Sequence, residues 1–140
     1  MNIERKVVKL LINEEKMILA DLVLHEEVID DEDMVLLELN IDSQKICYKS
    51  ENFFSALQNL RKELEKKNIQ IICNGTAKNI YPSSMQMSMG SGRAAYKLCI
   101  GEQARNSDAV DIFDCDEELE FVNIEEQHKY YAEWLKSIMG

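Results

Sequence analysis

The most constraining feature of this 140-residue sequence is a change in the period of its apolar residues near position 50. Apolar side chains alternate over 34–41, a turn follows at 42–43, and a second alternating run covers 44–49, which together predict a β-hairpin. Beyond residue 50, apolar residues recur every three or four positions, which predicts a helix over about 51–67 with Ser50 as its N-cap. The buried face of this helix consists of Phe53, Leu57, Leu60 and Leu64.

Other apolar runs complete the predicted fold. They indicate strands at 17–24, 69–73, 96–100 and 110–112, whereas residues 1–12 fit either a strand or a helix. A last helix begins after Asn123, which can cap it, with Glu126 three positions on as in a capping box. Its apolar face contains Ile124, His128, Tyr131, Leu135 and Ile138. The sequence therefore predicts one α+β domain over residues 1–140, with a mostly antiparallel sheet of about five to six strands and two main helices packed on it.

The charge of the chain restricts its partners. Asp and Glu number 26 against 16 Lys and Arg, giving a net charge of −10. This balance argues against a nucleic-acid binder, which needs a basic surface, and favours a basic protein partner, although it also fits simple solubility. No apolar run is long enough to cross a bilayer, so the sequence predicts no membrane association.

The four cysteines, Cys47, Cys73, Cys99 and Cys115, are not spaced as a metal or redox site requires. None belongs to a Cys-x-x-Cys pair, and the acidic segments lack the spacing of a calcium-binding loop. We therefore expect free thiols, a cytoplasmic location, and neither a metal nor a cofactor.

The segment 81–93 is the strongest candidate for a binding surface, because it is long, irregular and contains the only proline. In an extended chain its three methionines would point in one direction and form a flexible apolar surface. Its glycines and arginine would contact an anion or carboxylate; alternatively, the segment is an edge strand whose methionines fill the core. The candidate partner-binding residues, including two from the acidic segment 111–120, are Tyr81, Met85, Met87, Met89, Gly90, Arg93, Asp114 and Asp116.

The remaining candidate groups allow two interpretations each. The acidic segment 111–120 is either solvated or a surface for a basic partner. His25 lies in an acidic loop and is expected to be solvated, and His128 is expected to be a half-buried structural residue. The aromatic cluster on the last helix either anchors that helix or binds a partner; it consists of Tyr130, Tyr131 and Trp134.

Several motifs resemble a family of small uncharacterised bacterial proteins. They cover about residues 79–135: Asn79-Ile80-Tyr81-Pro82-Ser83-Ser84-Met85, Met89-Gly90-Ser91-Gly92-Arg93-Ala94-Ala95-Tyr96, Val110-Asp111-Ile112-Phe113, Glu125-Glu126-Gln127, Tyr131 and Trp134-Leu135. In size, charge and layout such proteins are similar to immunity proteins of bacterial polymorphic and contact-dependent toxin systems. The resemblance implies neutralisation of a cognate toxin domain and supplies no catalytic residue.

These observations favour a non-enzymatic protein-binding module, with an immunity protein that binds a basic toxin domain as its most specific form. One alternative is a small enzyme that uses Ser91 and Arg93 with a carboxylate or His128. Another is a homo-oligomeric regulatory or structural protein, such as a homodimer in which the methionine segment pairs with itself.

Overall fold

The computed structural model describes residues 3–139, apart from the side chain of Met89. The first half of the chain forms a five-stranded sheet and a helix. These elements are β1 (Ile3–Ile12), β2 (Lys16–His25), β3 (Val35–Ile41), β4 (Gln44–Ser50), α1 (Phe53–Lys66) and β5 (Ile69–Ile72). The first four strands form an antiparallel meander, and the chain then returns through α1 to place β5 beside β1. The sheet order is therefore β4-β3-β2-β1-β5.

The second half of the chain adds a smaller antiparallel sheet and two helices. Its elements are β6 (Ile80–Tyr81), α2 (Ser84–Met89), β7 (Ala94–Lys97), β8 (Ala109–Asp111) and α3 (Ile124–Met139). The three short strands pair in the order β6-β7-β8. The predicted α+β class, its antiparallel pairing and its two main helices are thus confirmed, and the strands are divided between two sheets. Within residues 3–139, no helix has the length and apolarity that a membrane crossing needs.

The hydrophobic core lies between the five-stranded sheet and α1. All four residues of the predicted helix face are completely buried: Phe53, Leu57, Leu60 and Leu64. Alternate residues of β1, β2 and β3 supply the other side: Leu10, Leu22, Leu24, Leu37 and Leu39. Burying each such leucine contributes about 2 kcal/mol, so this two-layer contact is the main source of stability.

Three local predictions need correction or resolution. The cap of α1 is Asn52, whose Oδ1 accepts a hydrogen bond from Ser55 N at 2.8 Å, because Ser50 is still paired in β4 with Val35. Residues 3–12 form a strand, since pairing along all of β2 outweighs their helical spacing. The strand predicted at 96–100 instead covers Ala94–Lys97, and Leu98 N then donates to the carbonyl of Asn79.

Gly75 lies where the small sheet and α1 meet. It belongs to a single 3₁₀ turn, Asn74–Thr76, that follows β5, and it is buried. A Cβ atom at this position would be 2.6 Å from Leu57 Cδ2 and 3.0 Å from Ile112 Cβ. Its amide also donates to the carbonyl of Ile112 at 2.8 Å, which holds the backbone in place. A side chain here would therefore displace the Leu57 side chain and crowd Ile112, both of which are completely buried.

We expect Gly75→Ala to lower the free energy of unfolding by about 1–3 kcal/mol, because the added methyl group overpacks a site between two completely buried side chains. Urea denaturation measures the change, with Ser107→Ala on an exposed loop as the control. A change of less than about 0.5 kcal/mol would mean that this contact is not tight.

Candidate functional site

The segment 81–93 is not extended. Ser83 caps α2: its Oγ accepts from Gln86 N at 3.1 Å, while Gln86 Oε1 accepts from Ser83 N at 2.9 Å. On a helix, residues two apart point to nearly opposite sides, so the expected common direction of the methionines is wrong. Met85 is 68% exposed, whereas Met87 packs against the core. The side chain of Met89 lies outside the described part of the chain.

The turn after α2 is attached to the start of α1. The carbonyl of Ser91 accepts from Phe53 N at 2.7 Å, and both Gly90 N and Gly92 N donate to the carbonyl of Gln86. Gly92 has a φ of +71°, and a Cβ atom there would be 2.8 Å from Asn52 Cβ. The glycines expected to contact an anion thus have a structural role here: they bring the turn close to the cap of α1.

Arg93 already has carboxylate partners within the chain. Its two terminal nitrogens each lie 2.8 Å from an oxygen of Glu4, and Nε donates to Asp111 Oδ2 at 3.0 Å. The hydrogen bond to Glu4 raises the pKa of Arg93, and the same bond lowers the pKa of Glu4 below its ordinary value of 4.5. The guanidinium therefore joins β1 to β8, where the sequence suggested a contact with an external anion.

We expect Arg93→Met to lower the free energy of unfolding at pH 7 by about 1 kcal/mol or less, since the pairs are partly exposed. Because folding lowers the pKa of Glu4, this stabilisation is present above pH 4.5 and is lost as the pH falls below it. Urea denaturation from pH 7 down to about pH 3 should show wild type and variant converging.

Arg105→Met, on an exposed loop, serves as the control for loss of one positive charge. A difference between wild type and Arg93→Met that stays constant down to about pH 3 would contradict this ion-pair interpretation.

The two acidic candidates are also paired within the chain. The carboxylate of Asp114 accepts from Lys6 Nζ at 2.5 Å. That of Asp116 lies 3.5 Å from Lys97 Nζ and also accepts from Glu118 N. Asp114 remains 59% exposed at its side chain, so it is accessible, but part of its charge is already compensated.

Tyr81 belongs to a row of aromatic rings that begins at Phe54 in the core and ends at Trp134 of α3, which is 8% exposed. Its ring lies 5.0 Å from that of Phe54, edge to face, and stacks on Tyr131 at 4.0 Å. Tyr131 in turn stacks on Trp134 at 6.0 Å. Burial, followed by the neighbouring Tyr131, raises the pKa of Tyr81 above its ordinary value of 10, so this ring is uncharged at neutral pH.

The outer rings of this row line a groove of about 360 Å³, which we call the aromatic groove. Its eleven lining residues are Tyr81, Pro82, Ser83, Ser84, Tyr96, Leu98, Gln103, Ala104, Tyr131, Trp134 and Ile138. None of them is charged, although 30% of the chain is. Trp134 Nε1 donates to the carbonyl of Glu102, and Gly101 N donates to Ser137 Oγ, so the loop that forms one wall is fixed to α3.

The predicted face of α3 is only partly right. Asn123 caps the helix, accepting from Glu126 N at 2.8 Å as predicted, but His128 is exposed and Gln127 is completely buried. Gln127 Nε2 lies within 2.9 Å of the carbonyls of Gly75, Ala77 and Ile80. An amide can satisfy several such carbonyls at once, which an apolar side chain cannot.

Arg61 of α1 completes this buried polar cluster. It is 2% exposed, and it donates to Gln127 Oε1 at 2.5 Å and to the carbonyl of Val122 at 2.6 Å. Burial lowers its pKa to about 10, so it is still positively charged at neutral pH. These bonds hold α3 against α1, and thereby set the position of the aromatic groove.

We expect Gln127→Leu to lower the free energy of unfolding by about 3 kcal/mol or more, because it removes one acceptor from the buried charge of Arg61 and leaves several buried carbonyls without a donor. Chemical denaturation measures the loss, with exposed Gln44→Leu as the control. The double variant Arg61→Met/Gln127→Leu should lose less than the sum of the single losses, since both changes remove the same bond. Additive losses would show that the two residues are not coupled.

The histidines do not lie where the sequence places them. His25 ends β2 and is half-buried; its Nε2 is 3.3 Å from Glu38 Oε1 but lacks hydrogen-bond geometry. His128 lies on the exposed side of α3, its ring centroid 6.4 Å from that of Tyr81. Among the residues that the structure describes, no three His, Cys, Asp or Glu side chains are grouped to hold a metal ion.

Comparison with protein-family models and with curated protein sequences finds no match to this chain. Its function must therefore be inferred from the aromatic groove and its surroundings. Sequence reasoning identified Tyr81, Tyr131 and Trp134 but missed Tyr96 and Leu98, because no spacing in the sequence connects β7 with α3.

Proposed function

We propose that this chain is a non-enzymatic protein-binding module whose aromatic groove receives an apolar side chain of a partner protein. The observation that carries the proposal is the complete absence of charge among the eleven residues of the groove. An uncharged groove with four aromatic rings favours an apolar occupant, and aromatic residues are enriched where binding energy concentrates.

Met85 is an exposed apolar residue next in sequence to residues that line the groove. It follows Ser83 and Ser84, both of which line the groove, and it is among the most exposed apolar residues at 68%. A flexible thioether adapts to the shape of a partner at low cost. Of the residues singled out in the sequence, Tyr81 lines the groove, and we propose that Met85 adds to the contact with the partner.

The charge of the chain supports a basic partner. With a net charge of −10, the protein attracts a positively charged domain during diffusion. In its most specific form, the proposal is that the chain is an immunity protein that neutralises a toxin domain, as its resemblance to such proteins implies. The four free cysteines support a cytoplasmic site of action.

A growth assay tests the immunity form. Single toxin domains from polymorphic and contact-dependent systems are produced in a bacterial host with and without this chain, and growth is recorded. We expect the chain to restore growth with one basic toxin domain. If the chain restores growth with no toxin domain of the source cell, it is not an immunity protein. The proposal of a protein-binding module would then be tested separately.

Trp134 allows occupation of the groove to be measured directly, because it is the only tryptophan in the chain. Labelled with 5-fluorotryptophan, the protein gives one ¹⁹F resonance, which we expect to shift when the neutralised toxin domain binds. Met85→Ser should weaken binding by about tenfold, since it removes about 1–2 kcal/mol of apolar contact. Ala104→Glu should weaken it further by placing a charge in the groove.

Met17→Ser is the matched control, because Met17 is also exposed but lies on β2, outside the groove. A toxin complex that leaves the ¹⁹F resonance unchanged, or that is equally sensitive to Met17→Ser and Met85→Ser, would contradict a role for the aromatic groove.

A homo-oligomer is the second candidate, and one observation favours it. Val7 and Leu19 are 65% and 68% exposed on the face of β1 and β2 that points away from α1. A second copy could cover this face. Light scattering over a range of concentrations distinguishes the candidates, since only the oligomer requires a molecular mass above that of one chain.

A further inference from the structure

A second groove lies at the open edge of the five-stranded sheet. β5 is the last strand on its side, and Ile69 and Gln70 line a groove of about 500 Å³ whose opposite wall is the segment 120–123. At Ile71 the carbonyl accepts from the Thr76 hydroxyl at 2.7 Å, so the strand is already bonded there. The accessible part of the edge is therefore the beginning of β5. We call this the edge groove.

The edge groove has an apolar floor and an acidic rim. The apolar lining residues are Leu11, Ile69, Phe121 and Val122, and the carboxylates are Glu14, Glu65, Glu120 and Glu126. Neither lysine nor arginine lines it. Glu65 accepts from Ile124 N and is thus held at the start of α3, whereas the other three carboxylates are exposed and form no ion pair within residues 3–139.

The two edges of the sheet differ in a way that selects an occupant. The edge at β4 contains Lys45 and Lys49, whose side chains are 60% and 49% exposed. Lysines on an edge strand discourage another strand from pairing there. β5 has no charged residue, and all the charged residues that line the groove at its beginning are acidic. A basic strand added at β5 would therefore be attracted by the carboxylates there.

We propose that the edge groove binds an extended basic segment of a protein partner. The alkyl stems of its lysines or arginines lie on the apolar floor, their charged ends reach the carboxylates, and its backbone runs along Ile69 and Gln70. This surface is separate from the aromatic groove, so the inference does not depend on the proposed function; it does specify the chemistry of a second contact with a basic partner.

The test uses a defined peptide, acetyl-Lys-Val-Lys-Val-Lys-amide, titrated into the ¹⁵N-labelled full chain while backbone amide shifts are recorded. We expect shifts confined to Ile69, Gln70 and the segment 120–123 at peptide concentrations up to about 1 mM, the range of weak complexes. Binding should disappear at about 1 M salt, where the screening length is about 3 Å. The corresponding peptide with Glu in place of Lys should not bind.

Matched variants separate this groove from the general acidity of the chain. Glu120→Gln/Glu126→Gln should weaken binding roughly fivefold, as expected for loss of two exposed charge pairs. Glu26→Gln/Glu27→Gln makes the same change in net charge on an exposed loop and should have little effect. A peptide N-methylated on both valines and on the central lysine should also bind more weakly, because it has then lost central N–H donors on both edges of the strand.

Equal weakening by both double variants, shifts spread over the loop 26–33, or no shift at all would overturn the proposal. Undiminished binding of the N-methylated peptide would overturn its strand-pairing part. The ¹⁹F resonance of Trp134 should stay unchanged with this peptide, so failure here is distinguishable from failure of the aromatic groove.

Discussion

The structure depends on one buried side chain, the amide of Gln127. Its Nε2, with two N–H donors, lies within 2.9 Å of the carbonyls of Gly75 and Ala77, between β5 and β6, and of Ile80 in β6, while its Oε1 accepts from Arg61 of α1. A buried guanidinium is costly unless its donors are satisfied, and an irregular buried segment is costly unless its carbonyls are. Gln127 meets both needs at once, which explains why a polar residue lies at the centre of a helix–helix contact.

This anchor also determines how the two grooves are related. Both are bordered by α3: its first turn contributes Glu126 to the edge groove, and its later turns contribute Tyr131 and Trp134 to the aromatic groove. Gln127 lies between these two parts of the helix. The two grooves therefore occupy different parts of one rigidly held element, and they differ in chemistry, one acidic at its rim and the other uncharged.

The sequence predicted the features that depend on the spacing of apolar residues within one segment. It did not predict the roles of residues whose partners come from distant segments. The face of α1 could be predicted because four apolar residues at helical spacing admit few interpretations. The helix at 84–89 had a usable signal, since Ser83 and Gln86 have the spacing of a capping box, but the alternating methionines favoured an extended chain. Gln127 and Tyr96 gave no signal, because their roles arise only when separate segments come together.

The attachment of the 91–92 turn to Asn52 and Phe53 has a consequence for biosynthesis. The first turn of α1 receives its bond from Ser91 only after some forty further residues have left the ribosome, and the Gln127 bonds form later still. Contacts so distant in sequence delay folding. The nascent polypeptide must therefore remain incompletely packed until residue 127 has emerged, which makes this interval the period when it most needs protection by chaperones.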